Sequence, residues 1–437
     1  MAKICLKFAI GNGKHNTLLM KAITVLVFNC GSSSLKFGFY LIESSFFDDS
    51  TNNKSQSEST LDQAPLPETF QLKVLLNGEI ELATKGASQF NVRDLEKELL
   101  SERIDIANLT EAATHIVLYI AGFRTPKPEV IAHRIVHGGP DFLQHCFITD
   151  KVMRQLEDAA AYAPLHHQAA FDVIKYIRTI FSGLPQVACF DTAFHSNMPD
   201  IAKQLPIDKT LLQAGMHRYG FHGLSCESIV HQLEDKMPQK LIIAHLGSGC
   251  SITAVKNGQS VDTSMGLTPS GGVMMGTRCG DIDPGILLYL LRYKNYSLEE
   301  LDHLINHQSG LLGVSGLSSD IRVLHQLATT NSNAKLAIDL FCSTVAKQIA
   351  AMMTVLNGLD ALIFTGGIGE NDDFVRATIC KKLVFFNMHI DVNKNKSVNV
   401  MKGLNFISAH KSVAKIIVCS SKENQKMALI TFRLMSA

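Results

Sequence analysis

Two glycine-turned hairpins and a handful of charged side chains carry the chemistry open to this sequence. An apolar run, Leu241-Ile242-Ile243-Ala244, turns through Gly247-Ser248-Gly249 and resumes as the alternating strand Ser251-Ile252-Thr253-Ala254-Val255. Backbone N–H groups of such a turn can converge on an anion, because no Cβ holds the anion away; a plain turn has the same composition. A second glycine-rich loop, residues 268–280, adds Arg278 and leads to the acid pair Asp281 and Asp283. An earlier stretch, Val25 to Tyr40, repeats the hairpin: Asn29 falls on His245, Gly31 on Gly247 and Ser32 on Ser248. The repetition predicts a duplicated α/β domain with a nucleotide held between the halves, since ligands favour domain interfaces.

Other chemistry-bearing residues sit where strands end. Arg134 lies near the end of the apolar run Val130 to Val136, beside His137-Gly138-Gly139, placed either to meet an anion or to face solvent. The run Gln186 to Phe190 delivers Asp191 at its C-terminal edge, a common catalytic or metal-binding position in α/β proteins and also a turn-capping one. His222, between Phe221 and Gly223, is a core histidine or a donor to transferring oxygens. A third glycine-rich turn, Thr365-Gly366-Gly367-Ile368-Gly369-Glu370-Asn371, follows the apolar run Ala361 to Phe364 and leaves room for a base and ribose.

The elements that position these residues are legible in outline. In 437 residues with 46% apolar content there is room for two domains with separate cores. The 41 basic and 40 acidic residues balance to +1, which argues against nucleic acid or an anionic membrane as partner. No uninterrupted apolar run approaches the roughly 18 residues needed to span a bilayer. Ten scattered cysteines without a Cys-x-x-Cys pair predict reduced thiols and a cytoplasmic location. Residues 1–21 carry no signal-peptide pattern and read as a dispensable extension; residues 43–68, rich in Ser, Asp, Asn and Gln, read as a mobile insertion. Strands are expected at 70–74 and 79–82. Helices are expected at 92–102, 109–120, from Thr149 or Asp150 to Ala161, and at 168–181, with Leu165-His166-His167 in a break made by Pro164. Ser297-Leu298-Glu299-Glu300 is a capping box opening a helix. Residues 333–356 predict a long helix whose core stripe is Leu336, Leu340, Val345, Ile349, Met353 and Leu356, capped by Asn357-Gly358. A strand at 415–419 and a closing helix at 424–434 complete the chain.

Taken together, the motifs resemble those of acetate kinase and its propionate and butyrate kinase relatives, within the superfamily of sugar kinases, actin and heat-shock ATPases. The likeness runs from about Thr24 to Arg433. It rests on Asn-x-Gly-Ser-Ser-Ser-Leu-Lys (29–36), His-Arg-Ile-Val-His-Gly-Gly (133–139), Phe-Asp-Thr-Ala-Phe-His (190–195), Arg-Tyr-Gly-Phe-His-Gly (218–223), Asp-Thr-Ser-Met-Gly (262–266), Gly-Thr-Arg-Cys-Gly-Asp-Ile-Asp-Pro (276–284) and Gly-Gly-Ile-Gly-Glu-Asn (366–371). The resemblance implies a duplicated actin-like, ribonuclease-H-like two-domain kinase fold with a nucleotide cleft. Its domains would be 22–192 with 424–437, and 193–423. It also implies reversible transfer of the ATP γ-phosphoryl group to acetate, giving acetyl phosphate and ADP.

By the same resemblance Arg134 and Arg278 would hold carboxylate and phosphoryl group, His222 would stabilise the group in transfer, and Asp191 would lie beside the acyl site. Asp191 suits an orienting or metal-linked role, since acetate near pH 7 has no proton to remove. Val136, Leu165, Phe221 and Pro269 would line the acyl pocket, where valine at 136 crowds a longer chain. ATP would contact Lys36, the run His245, Leu246, Gly247, Ser248, Gly249, the run Asp320, Ile321, Arg322, and the run Gly366, Gly367, Ile368, Gly369, Glu370. Asn29 and Glu423 would serve Mg2+, for which Mn2+ could substitute, and a homodimer is the family's habit. Ser248 in place of Asn, His167-Gln168 in place of Asn-Pro and Ser421-Lys422-Glu423-Asn424 in place of Thr-Asn-Glu-Glu depart from the pattern. The alternatives are a propionate or butyrate kinase and, in a different class, a nucleotide-binding regulator with weakened catalysis.

Overall fold

The computed structural model describes residues 3–10, 14–31, 33–47, 69–83, 86–94, 97–123, 126–159 and 164–436. Contacts divide the chain into one unit of Met1–Ala193 with Glu423–Ala437 and another of Phe194–Lys422.

The first unit is built on a long strand of β-branched and aromatic residues. β1 (Lys3–Ile10) pairs with β2 (Lys14–Cys30), which turns into β3 (Ser34–Phe47) with Cys30 opposite Leu35. β4 (Thr69–Glu81), β5 (Ser88–Arg93) and β6 (Glu98–Ile104) continue antiparallel on one side. β7 (Val130–Ile135) and β9 (Gln186–Phe190) join in parallel on the other, with β8 (Cys146–Phe147) at the edge. Alternation along β2 sends Leu26 and Phe28 toward Ile116 and Ile120 of the helix Leu109–Gly122 and Val173 and Ile177 of the helix Pro164–Ile180. The closing helix Glu423–Ser436 also lies against β2, β3 and β7.

The second unit repeats this pattern. β10 (Lys240–Leu246) turns into β11 (Cys250–Lys256), which pairs with β12 (Gln259–Thr263). β13 (Ala361–Thr365) and β15 (Lys415–Val418) follow β10 in parallel, and β14 (Asn405–Phe406) closes the edge. The order β12-β11-β10-β13-β15-β14 matches β4-β3-β2-β7-β9-β8 in sequence and in every strand direction, the signature of a duplicated domain. One loop differs. The first hairpin pairs Cys30 with Leu35, whereas the second pairs Leu246 with Cys250, one residue shorter.

Several elements depart from expectation. Residues 3–10 form β1 and 14–21 open β2, so strand pairing begins ahead of residue 22, where the first domain was expected to start. Of the polar insertion, 43–47 continue β3, and 48–68 lie outside the described residues. The strands expected at 70–74 and 79–82 are one strand, β4, and the helix expected at 92–102 is β5 and β6. Phe90 and Val92 are buried on alternate positions, and that packing overrides the helix propensity of the Glu and Lys residues nearby. Pro164 opens its helix instead of stopping one, so Leu165-His166-His167 are helical; a first-turn N–H has no intrahelical partner to lose. The turn 366–371 is a short helix, Gly366–Asn371.

The helix Ser332–Leu356 is long and apolar enough to cross a membrane by length and composition, but it packs on β10, β11 and β12. Its buried face is Ala337, Phe341, Val345, Ile349, Met352 and Leu356; of the expected stripe Val345, Ile349 and Leu356 are buried, whereas Leu336 is 56% and Leu340 40% exposed, so the stripe holds in the C-terminal half of the helix and is out of phase in the N-terminal half. Ser297 and Glu300 form the capping box, and Asn357 ends the long helix at φ 52°.

Candidate active site

Parallel neighbours β7 and β9 bring Arg134 and Asp191 together. Arg134 stands opposite Cys189, and the Asp191 N–H donates to Ile135 O at 3.0 Å. Arg134 Nε and Nη2 both donate to Asp191 Oδ2, at 2.9 and 2.5 Å. Its Nη1 reaches Asn29 Oδ1 and Cys30 O, each at 3.3 Å, on the end of β2. Asn29 in turn donates to Glu423 Oε2 at 3.0 Å and Asn424 Oδ1 at 3.1 Å. Burial pushes the Asp191 carboxyl above the usual carboxylate range, against the pull of Arg134. Burial also disfavours the Arg134 charge, but Asp191 and Glu423 outweigh it and hold the guanidinium protonated. The first unit therefore presents a fixed cation at the strand ends.

Lys36 pairs across from Asn29 and is exposed. Val136 follows β7 and is 8% exposed, and the Leu165 side chain lies outside the described residues. No group of three or more His, Cys, Asp or Glu suited to a metal occurs among the described residues. Asn29 and Glu423 carry one amide oxygen, here accepting from Arg134 Nη1, and one carboxylate, here accepting from Asn29 Nδ2. That small set of hard oxygen donors suits Mg2+, which keeps several waters and takes substrate phosphate oxygens.

In the second unit a different set converges on the β10–β11 turn. His222 sits at φ 58° just before the helix Gly223–Leu233, and its ring stacks on His245 with centroids 4.1 Å apart. Ser251 Oγ holds His222 Nδ1 at 3.0 Å, and Ser225 Oγ holds His245 Nδ1 at 2.9 Å. A Cβ built on Gly249 would lie 3.2 Å from His222 Nε2 and 3.6 Å from Arg278 Nη1. Both polar ends thus crowd the same glycine, and Arg278 Nη1 also donates to Pro269 O at 3.0 Å. Phe221 is 1% exposed and Pro269 is buried.

The remaining glycine runs border this turn. Gly276 N donates to Ser248 O at 3.3 Å, and a Cβ on Gly276 would meet Ser319 O at 3.5 Å, next to Asp320. Asp320 caps the helix Ile321–Leu327 and pairs with Arg322, whose side chain is 85% exposed. Gly366, at φ +76°, presses on β10: a Cβ there would lie 2.7 Å from Leu246 O. Gly367 and Ile368 reach solvent, whereas Gly369 is buried. Glu370 points inward, its Oε1 accepting from Gly366 N at 3.1 Å, Ser421 N at 3.2 Å and Thr365 Oγ1 at 3.3 Å. Two motif residues are internal braces. His195 bridges Ser260 Oγ and Phe221 O, and Arg218 binds the carbonyls of Ala202, Thr263, Ser264 and Met265. Sequence reasoning missed Ser225 and Ser251. Ser251 stands opposite His245 across the hairpin, a pairing that only the strand register exposes.

The sequence model of the acetokinase family matches residues 24–429. The chain belongs to that family. It is 41% identical to an acetate kinase of Shewanella sp. (strain W3-18-1) over 401 residues, 90% of this chain and 94% of that one. An acetate kinase of Cyanothece sp. is 37% identical over 410 residues, 92% of this chain and 96% of that one. Among solved structures, a propionate kinase from Francisella tularensis superposes with a TM-score of 0.78 at 34% identity, covering 93% and 98% of the two chains. Porphyromonas gingivalis acetate kinase does so with 0.77 at 30% identity, covering 94% and 100%. This acetokinase-family kinase accordingly has the duplicated actin-like two-domain fold of those neighbours.

Proposed function

We propose that this kinase transfers the γ-phosphoryl group of ATP directly and reversibly to acetate, with Mg2+, giving acetyl phosphate and ADP. The observation that carries the proposal is the approach of His222 Nε2 and Arg278 Nη1 to one glycine, Gly249, of the glycine-rich β10–β11 turn. A carboxylate attacking a polyanion is repelled until the charge is offset, so fixed donors and cations do most of the catalytic work. Arg278 and His222 would stabilise the phosphoryl oxygens. Arg134, oriented by Asp191, would hold the acyl carboxylate, a task for a planar fork and not a point charge. Asn29 and Glu423 would hold Mg2+, which when bound would offset charge on the phosphate oxygens. The runs His245 to Gly249, Asp320 to Arg322 and Gly366 to Ile368, with Lys36, would carry the nucleotide contacts. Glu370 would brace that site from within.

Val136 favours acetate over propionate, the second substrate we consider, because the solved relatives include a propionate kinase. We also propose a cytoplasmic homodimer. The helix Pro284–Tyr293 supports it, with no buried residue and with Ile286, Leu288, Tyr289 and Tyr293 between 48% and 70% exposed. The test is to trap acetyl phosphate as hydroxamate from protein, Mg-ATP and acetate. Product no greater than that of Arg278→Ala would refute the assignment, and ATP binding without turnover would favour a regulator.

A further inference from the structure

Arg376 is the largest fully buried side chain among the described residues, 1% exposed, and every hydrogen bond described for it ends on a neutral oxygen. Its Nη1 donates to Gly369 O at 2.9 Å and Glu370 O at 3.0 Å, the far end of the glycine-rich turn. Its other edge donates from Nε to Asn395 Oδ1 at 2.7 Å and from Nη2 to Asn395 O at 2.9 Å. Asn395, 2% exposed, is itself tied to Asp373 O at 2.8 Å. Burying a guanidinium this way is costly, and an apolar side chain of like volume would pack without that cost. What only the planar fork supplies is a simultaneous grip on two turn carbonyls and on Asn395.

Movement of that turn would be felt at the hairpin. Gly366 presses on Leu246 O, and Gly367 N lies 3.8 Å from where a Cβ on Gly247 would stand. We propose that Arg376 is a positioning residue for the nucleotide, locking the far end of the turn so that Gly366 and Gly367 keep their place against the Leu246–Gly247 backbone. The inference rests on the assignment of run 366–370 to ATP contacts. Losing the fork leaves two carbonyls unpartnered, and a turn that relaxes to satisfy them loses nucleotide contacts.

Calorimetric titration of the full chain with ADP, and steady-state kinetics in both substrates, test this on Arg376→Lys and Arg376→Met. Expected are weaker ADP binding and a higher KM for ATP, each by about tenfold, with kcat and the KM for acetate within about twofold. Arg376→Lys keeps the charge and loses the fork, so it should behave like Arg376→Met. Should either variant fail to fold, Asn395→Ala, which removes one anchor, decides with a smaller loss of the same kind. ADP affinity within twofold of wild type, or equal losses for both substrates, overturns the inference. A wild-type protein that binds no ADP overturns the nucleotide assignment itself, and this inference with it.

Discussion

Arg134 grips Asp191 through one oxygen only: Nε and Nη2 both donate to Oδ2, while Oδ1 is buried with no hydrogen-bond partner among the described residues. The ordinary fork uses both oxygens. Here the guanidinium is turned so that Nη1 can reach Asn29 and Cys30, which sets its direction from three strands at once.

Asp191→Asn preserves shape and removes the charge that holds this orientation. Hydroxamate assays should show turnover reduced roughly a hundredfold, as expected when a reacting group is misplaced by about an ångström. Arg134→Ala should in addition destabilise the fold by about 3–5 kcal/mol by denaturant melting, because a buried carboxylate loses its partner. A folded Asp191→Asn protein with wild-type turnover would remove Asp191 from the site.

Val136→Ala opens room for one methylene. The ratio of kcat/KM for propionate to that for acetate should rise, by about tenfold if 1–3 kcal/mol per methylene applies. An unchanged ratio across acetate, propionate and butyrate would place the acyl chain elsewhere.

Gly249→Ala inserts a Cβ 3.2 Å from His222 Nε2, tighter than ordinary contact. The histidine must shift, so kcat should fall while the melting temperature changes little. Gly258→Ala is no control, because its φ of +79° strains any side chain. Gly367→Ala, which meets nothing within 4 Å, is the comparison in which folding at least should be unaffected.

His325 pairs with Asp372 at 2.8 Å, joining the helix that begins after Asp320 to the residue that follows the glycine turn. The hydrogen bond that His325 Nε2 donates to the Asp372 carboxylate raises the His325 pKa above its ordinary 6.5. A raised value in the folded state means the pair stabilises fully below 6.5, and the benefit fades as pH climbs through the raised value. The melting-temperature gap between wild type and His325→Gln should therefore be widest near pH 6 and narrow toward pH 9. A gap that widens with pH would contradict the pairing.

Local pattern was enough to place Arg134, Asp191 and the β10–β11 turn on their elements, though not Leu165 or the run 366–370, which are helical. Arg134 and Asp191 stand at strand ends because an apolar run that meets Gly-Gly or a lone acid has left the core. Gly247 and Gly249 stand at a turn, with His245 near the end of the strand before it, because glycine interrupts two apolar strand runs. The seven ordered motifs identified the family for the same reason. What local pattern could not supply was which residue meets which. Asp191 faces Arg134, 57 positions away, because two parallel strands lie side by side, and Arg376 finds Asn395 because a short helix folds back. Residues 92–102 became strands because Phe90 and Val92 had a sheet face to fill, a force absent from the propensity of Glu and Lys. Propensity acts over a few neighbours, whereas burial and hydrogen bonding act between segments that only the folded chain brings together.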